Sequence, residues 1–166
     1  MASNRSALGF DIYSNPARSV AIETARNTGR PTATGPIDLV QESGTQKGML
    51  ALLPIYEGGS DPGNEQARRA ALRGFAVGVY RLGDMLAETF RGTYWDSVAV
   101  TLVDVSDRAD PVVIADLPAR SAAAPDQVSA APTATTEPLD VYGRTWELTV
   151  RPTSAAFIDN RSGVMT

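Results

Sequence analysis

The stretch "TARNTGRPTATGPIDLVQESG", Thr24 to Gly44, decides how the chain is read. A helical stripe runs into it from the N-terminal side. Val20, Ala21, Thr24, Ala25 and Thr28 recur at helical spacing, with Arg18, Glu23, Arg26 and Arg30 lying mostly elsewhere. Asn15 offers a side-chain acceptor for an N-cap, and Pro16 suits the first helical position, where a missing N–H has no partner to lose. Gly29 can take the left-handed position that closes a helix, and Pro31 blocks continuation. The predicted helix therefore begins after Asn15 and stops at Gly29. "TATGPIDLVQ" follows as a predicted strand, with Ile37, Leu39 and Gln41 on one side and Asp38 and Val40 on the other. Pro36 marks a bulge or an edge near its start.

Outward from this core, "ESGTQ" is a turn and "GMLALLPIY" is an apolar run of strand length, which predicts a central strand buried on both faces. "EGGSDPGNEQ" holds the strongest turn chemistry in the chain. "ARRAALRGFAVGVYRL" predicts another strand, with Gly74 and Gly78 placed for close approach of backbone to a neighbour or ligand. "GDMLAETFRG" reads as a short helix burying Leu82, Met85, Leu86 and Phe90. Strands follow at Val98–Val105 and in "PVVIADL". After the Ala/Pro/Ser/Thr-rich segment "PARSAAAPDQVSAAPTATTEP", an exposed loop by composition, "LDVYGRTWELTV" gives a hairpin turning at Tyr142 and Gly143.

Composition narrows the chemistry. The 166 residues contain neither Cys nor His, which removes thiolate and imidazole metal sites and every Ser-His or Cys-His nucleophile system. Net charge is −4, with residues 1–95 near neutrality and residues 96–166 carrying five basic against ten acidic side chains. No basic stripe exists, so nucleic acid is not an expected partner. No apolar run reaches the roughly 18 residues of a membrane helix, and "MASNRSALGF" lacks a signal-peptide core. The chain reads as cytosolic, or as a fragment from between membrane segments. Asp104, Asp107 and Asp110 lack the alternating spacing of a calcium loop and read as a solvated turn. "GFAVG" is too short for a dinucleotide fingerprint. No catalytic constellation, metal or cofactor is expected.

Five motifs in order, "LGFD", "NPARSVAIETARNTG", "TGPIDLVQE", "KGMLALLPIY" and "RGFAVGVYRLGDML", resemble a CHASE domain from Leu8 to about Leu86. "DVYGRTWELTVRP" resembles the closing strands of that family's second unit. The resemblance implies an α+β fold of PAS-like antiparallel sheets with flanking helices in two stacked units, the first truncated at its N-terminus. The units would be a membrane-distal, ligand-binding one (1–95), a membrane-proximal one (96–151), and a tail (152–166) leading towards a transmembrane helix. It also implies an extracytoplasmic, periplasmic or extracellular sensor attached to a histidine kinase or cyclase, homodimeric in the full-length receptor and touching membrane only through flanking helices.

In the plant cytokinin-receptor branch, an acidic helix residue and a backbone group hold a purine, and a hydroxyl contacts the ligand tail. Those positions fall here on Arg18, Val40 and Leu52. A guanidinium only donates hydrogen bonds, so a purine N–H is a poor partner for Arg18. A small ligand with a carboxylate or phosphate is the expected partner instead. With Asp11, Thr34 and Tyr56 the expected ligand set is complete, lining a chamber between the helix and the curved sheet. Set against this are plainer readings: Arg18 facing solvent, Asp11 capping a turn, Thr34 shaping a strand start, Leu52 in a core, and Tyr56 or Tyr80 closing a strand end. Trp146 is expected as a structural plug. The alternative functions are a scaffold or dimerisation module with a closed core and, with no residue to recommend it, a carboxylate hydrolase.

Overall fold

A computed structural model of the chain describes residues 9–38, 47–92, 95–120 and 133–153. Within these, a turn of 3-10 helix at Ile12–Ser14 leads into helix α1, Pro16–Thr28. The Asn15 side chain accepts from the Ala17 N–H at 2.9 Å, and Gly29 closes the helix at φ 72°, its N–H donating to the Ala25 carbonyl. Both ends stand where the local chemistry predicts. The buried face is rotated from the predicted stripe, however. Arg18, Ala21, Ile22 and Ala25 point inward at i, i+3, i+4 and i+7, while Val20 is 66% exposed. A charge ordinarily marks the outer face of a helix, and here the helical period overrides it.

The stretch after Pro31 is a pair of two-residue strands, β1 at Thr32–Ala33 and β2 at Ile37–Asp38, broken around Pro36. Both pair antiparallel with β3, Lys47–Tyr56, which pairs along its whole length with β4, Leu72–Arg81. Strand β3 is central, as predicted, and its first half is covered on both faces at Met49 and Leu50, whereas further along Leu52 and Tyr56 are covered while Leu53 and Ile55 are exposed. Helix α2, Glu65–Ala71, precedes β4, capped by the Asn64 side chain on the Ala67 N–H. The strand predicted over "ARRAALRGFAVGVYRL" therefore starts later, at Leu72, its first residues being the end of this helix. Helix α3, Leu82–Thr89, buries Leu82 and Leu86, whereas Met85 stays exposed.

The second sheet runs in the order β6-β5-β8-β7, built from β5 (Val98–Asp104), β6 (Val112–Leu117), β7 (Thr135–Val141) and β8 (Arg144–Pro152). Tyr142 and Gly143 join β7 to β8, both at positive φ (50° and 85°), the backbone of a tight hairpin turn whose twist matches the strands. Trp146 is buried, as expected, and its indole N–H donates to Asp104 Oδ2 at 3.2 Å. Asp104 is thus a core residue rather than part of a solvated turn; its other oxygen takes the Ser106 N–H. Asp107 caps the turn on Ala109 N–H. The architecture is α+β with antiparallel sheets, consistent with a PAS-like fold. Contacts divide it into one unit of Met1–Leu82 with Asp140–Arg144 and another of Gly83–Leu139 with Thr145–Thr166.

In the first unit, Ala21, Ile22 and Ala25 of α1 pack on Leu52 of β3, with Ile12 and Phe75 against the cluster. The small alanines let the helix backbone come close. Three of the last four carbonyls of α1 are then satisfied, which matters because these carbonyls have no partners within the helix. Ala25 O receives the Gly29 N–H, Arg26 O the Tyr56 hydroxyl at 2.8 Å, and Asn27 O the Arg68 guanidinium at 3.1 Å. Arg68 in turn grips Asp61 through two bonds of 2.7 and 2.8 Å. A Cβ on Gly29 would stand 2.7 Å from an Asp61 oxygen and 2.9 Å from Arg68 Nε.

Gly29→Ala should therefore destabilise the unit by about 1–2 kcal/mol from the left-handed backbone alone. Loss of the Asp61–Arg68 clamp adds to this, and denaturant melts would reveal the sum. Arg68 above all, and then the Gly63 N–H, hold the Asp61 carboxyl down from 3.8 to about 2. A depressed carboxylate stabilises the fold fully above its unfolded value and loses that contribution as pH falls through its folded value. The advantage of the wild type over Asp61→Asn should be complete above 3.8 and vanish near pH 2; equal stability of the two proteins at neutral pH would refute the clamp.

Candidate functional site

The expected ligand residues lie along α1 rather than around one point. At its N-terminal end, the Asp11 carboxylate caps the 3-10 turn on the Tyr13 N–H, and Arg18 lies with its guanidinium 5.0 Å from the centre of the Phe10 ring. Arg18 is only 5% exposed, so it does not face solvent. Under the middle of the helix sits Leu52, fully buried. Thr34 is also fully buried, its hydroxyl accepting from the Leu50 N–H at 3.0 Å while its own N–H donates to Leu50 O. That double link replaces ladder pairing where Pro36 interrupts the strand. Tyr56 lies at the far end, bonded to Arg26 O; burial pushes its phenol upward from the usual tyrosine range. Arg18 and Arg26, whose carbonyl holds Tyr56, are eight residues apart, roughly 12 Å along the axis, and the packed Ala21, Ile22, Ala25 and Leu52 lie between them. Val40 lies outside the described residues, as do Leu39, Gln41, the turn after them, residues 121–132 and the tail from 154.

The space between α1 and β3 is filled by Ala21, Ile22, Ala25 and Leu52 themselves. A hollow of about 310 Å³ lies instead over β3 and β4. It owes its existence to small residues: Ala51 stands opposite Gly78 and Leu53 opposite Ala76 in the antiparallel register. Cross-strand partners share a face, and successive residues alternate, so these four lie on the face opposite the Leu52 side chain. Tyr80 and Tyr142 also line the hollow. The Tyr80 ring lies across Gly78, where a Cβ would come within 2.9 Å of it, so the space that glycine leaves is used by an aromatic neighbour. This hollow is at the lower edge of the volumes usual for ligand sites and has their character, apolar walls with a few hydroxyl groups. Of the expected ligand residues, Leu52 borders it; Tyr80, considered for closing a pocket, does too. Its signal in sequence is the facing pair Ala51 and Gly78, which becomes visible only once the strand register is known.

Among the described residues, no helix is long and apolar enough to cross a membrane. No curated protein matches the chain. Compared with models of protein families, residues 1–114 match the CHASE domain, a stretch that takes in α1, the whole first sheet, α2, α3, β5 and the start of β6. The hairpin motif "DVYGRTWELTVRP" lies beyond it. Domains of this family are extracellular sensor modules of signalling receptors and are not themselves catalytic. With well over half of its residues matched, including every described residue of the α1–β3 core, the chain belongs to the CHASE domain family.

Proposed function

We propose that this chain is the extracytoplasmic ligand-sensing part of a membrane-bound histidine kinase or cyclase, dimeric in the full-length receptor. In this reading residues 1–95 form the membrane-distal, ligand-binding region and 96–151 the membrane-proximal one. The carrying observation is the coincidence of the family match with the 310 Å³ hollow, whose walls fall within residues 1–114 except for Tyr142. A small molecule with a flat apolar body would lie over Ala51 and Gly78, flanked by the rings of Tyr80 and Tyr142. Arg18 lies on the other side of the sheet, on the α1 face that packs over Leu52, and would act on the ligand through the seating of that helix. Asp11, Thr34, Val40, Leu52 and Tyr56 complete the proposed set, acting on the ligand or through the helix and strand they hold.

One observation favours a second reading. The α1–β3 interface is closed, with Ala25 and Leu52 fully buried and the helix end tied down by Tyr56 and Arg68. A module packed in this way serves equally as a scaffold or dimerisation unit that binds nothing.

A thermal-shift screen against anionic and neutral metabolites separates the two. A ligand at about a hundred times its dissociation constant adds about 2.7 kcal/mol to stability. The sensor reading expects a saturable rise in melting temperature that Ala51→Leu abolishes by filling the hollow. Arg18→Ala, acting through the seating of α1, should weaken acidic and neutral ligands alike. Flat curves throughout would leave the scaffold. A shift that survives Ala51→Leu would move the ligand elsewhere.

A further inference from the structure

A second hollow, of about 180 Å³, lies wholly within the second unit. Its base is Val98 and Val100 of β5, both buried. Leu117 forms one wall, brought there by the β5–β6 register that sets it opposite Val100. Phe90 and Trp95 form another, edge to face with ring centres 5.1 Å apart. The rim carries a charge of each sign, for Arg120 lines the hollow and its Nη1 stands 3.8 Å from Asp96 Oδ1.

That rim pair is unusually loose. Other surface pairs in the chain close to 2.7 Å (Arg69–Glu65) and 2.6 Å (Arg91–Glu88). At 3.8 Å the Arg120–Asp96 pair is beyond hydrogen-bond reach, so neither charge is committed to the other by a directional bond. A simple carboxylate drawn to Arg120 would meet repulsion from Asp96, and a simple amine drawn to Asp96 would meet it from Arg120. A molecule bearing both charged groups on one carbon meets neither. The hollow beneath sets the size of its third substituent: an apolar cavity of about 150 Å³ holds one benzene ring.

We propose that this hollow binds a free apolar α-amino acid, its carboxylate on Arg120, its ammonium on Asp96, and a branched or single-ring side chain between the aromatic pair and Leu117. The aromatic walls supply contact area for that side chain, and the guanidinium supplies forked N–H donors matched to a carboxylate. This site is separate from the hollow over β3 and β4 and goes beyond the sensing role proposed for the latter.

Calorimetric titration of the whole chain with L-leucine and L-phenylalanine tests it, alongside isocaproate and isoamylamine, which keep the leucine body but lack one charge each. Saturable binding of both amino acids is expected, with each analogue and glycine weaker by about tenfold or more. Arg120→Ala should weaken leucine by at least about tenfold with its melting temperature unchanged, since an exposed ion pair contributes little to stability. Absence of saturable binding by either amino acid overturns the proposal, and so does equal binding of isocaproate. Leucine binding lost in Ala51→Leu yet intact in Arg120→Ala also overturns it, while leaving the sensing role of the first unit standing.

Discussion

The first unit depends on the seating of two alanines against one leucine. Ala21 and Ala25 bring α1 down on Leu52. Once seated, the carbonyls of Arg26 and Asn27 fall to Tyr56 at the end of β3 and to Arg68 of α2. These are long-range bonds to groups that a helix cannot satisfy by itself, so helix, strand and the loop carrying Asp61 hold one another in place. Gly29 belongs to the same arrangement for two reasons: its backbone requires φ near 72°, and the Asp61–Arg68 pair occupies the space where a side chain would go.

What the sequence made legible was local chemistry. Asn15, Pro16 and Gly29 each act through their own backbone or their nearest neighbours, and the structure places the ends of α1 where they indicate. The turn at Tyr142 and Gly143 is of the same kind. What it hid was chemistry that only tertiary contact supplies. Arg18 carries a charge, and charge in a helix ordinarily means water; its burial beside Phe10 follows from lying seven residues before Ala25 on the face that meets β3. Helix α2 was hidden differently. Asn64, Glu65 and the arginines at 68 and 69 are a good cap and a good charge order for a helix, but they run without a break into the apolar strand that follows. The family match, in contrast, rested on the order of several motifs and did not require any one boundary to be right.

The candidate site was less legible than the fold, and for a physical reason. Its expected members were drawn from a chamber under α1, whereas close packing there leaves side chains touching side chains. The larger space opens on the other face of the sheet, where Ala51 meets Gly78. Which small residues face each other depends on register, and register is fixed jointly by the pairing of β3 with β4 and by the bulge at Ile55–Tyr56.

That location has a consequence for signalling. Strand β3 is the hub of its unit: β1, β2 and β4 all pair with it and α1 packs on it. Ala51 and Leu53 point to the hollow, and Leu52 between them points to the helix. A ligand lying on the first two would therefore press on the residue that seats α1 without passing through any intermediate side chain. Such a ligand shifts a conformational equilibrium only by the difference in its affinity for the two states. The relevant difference would lie in how far β3 can twist before Leu52 loses Ala21 and Ala25. A core that packed loosely there would absorb the twist; one with Leu52 and Ala25 fully buried transmits it or resists it. The same tight packing that suggests a scaffold is thus what a sensor with its seat on the opposite face requires.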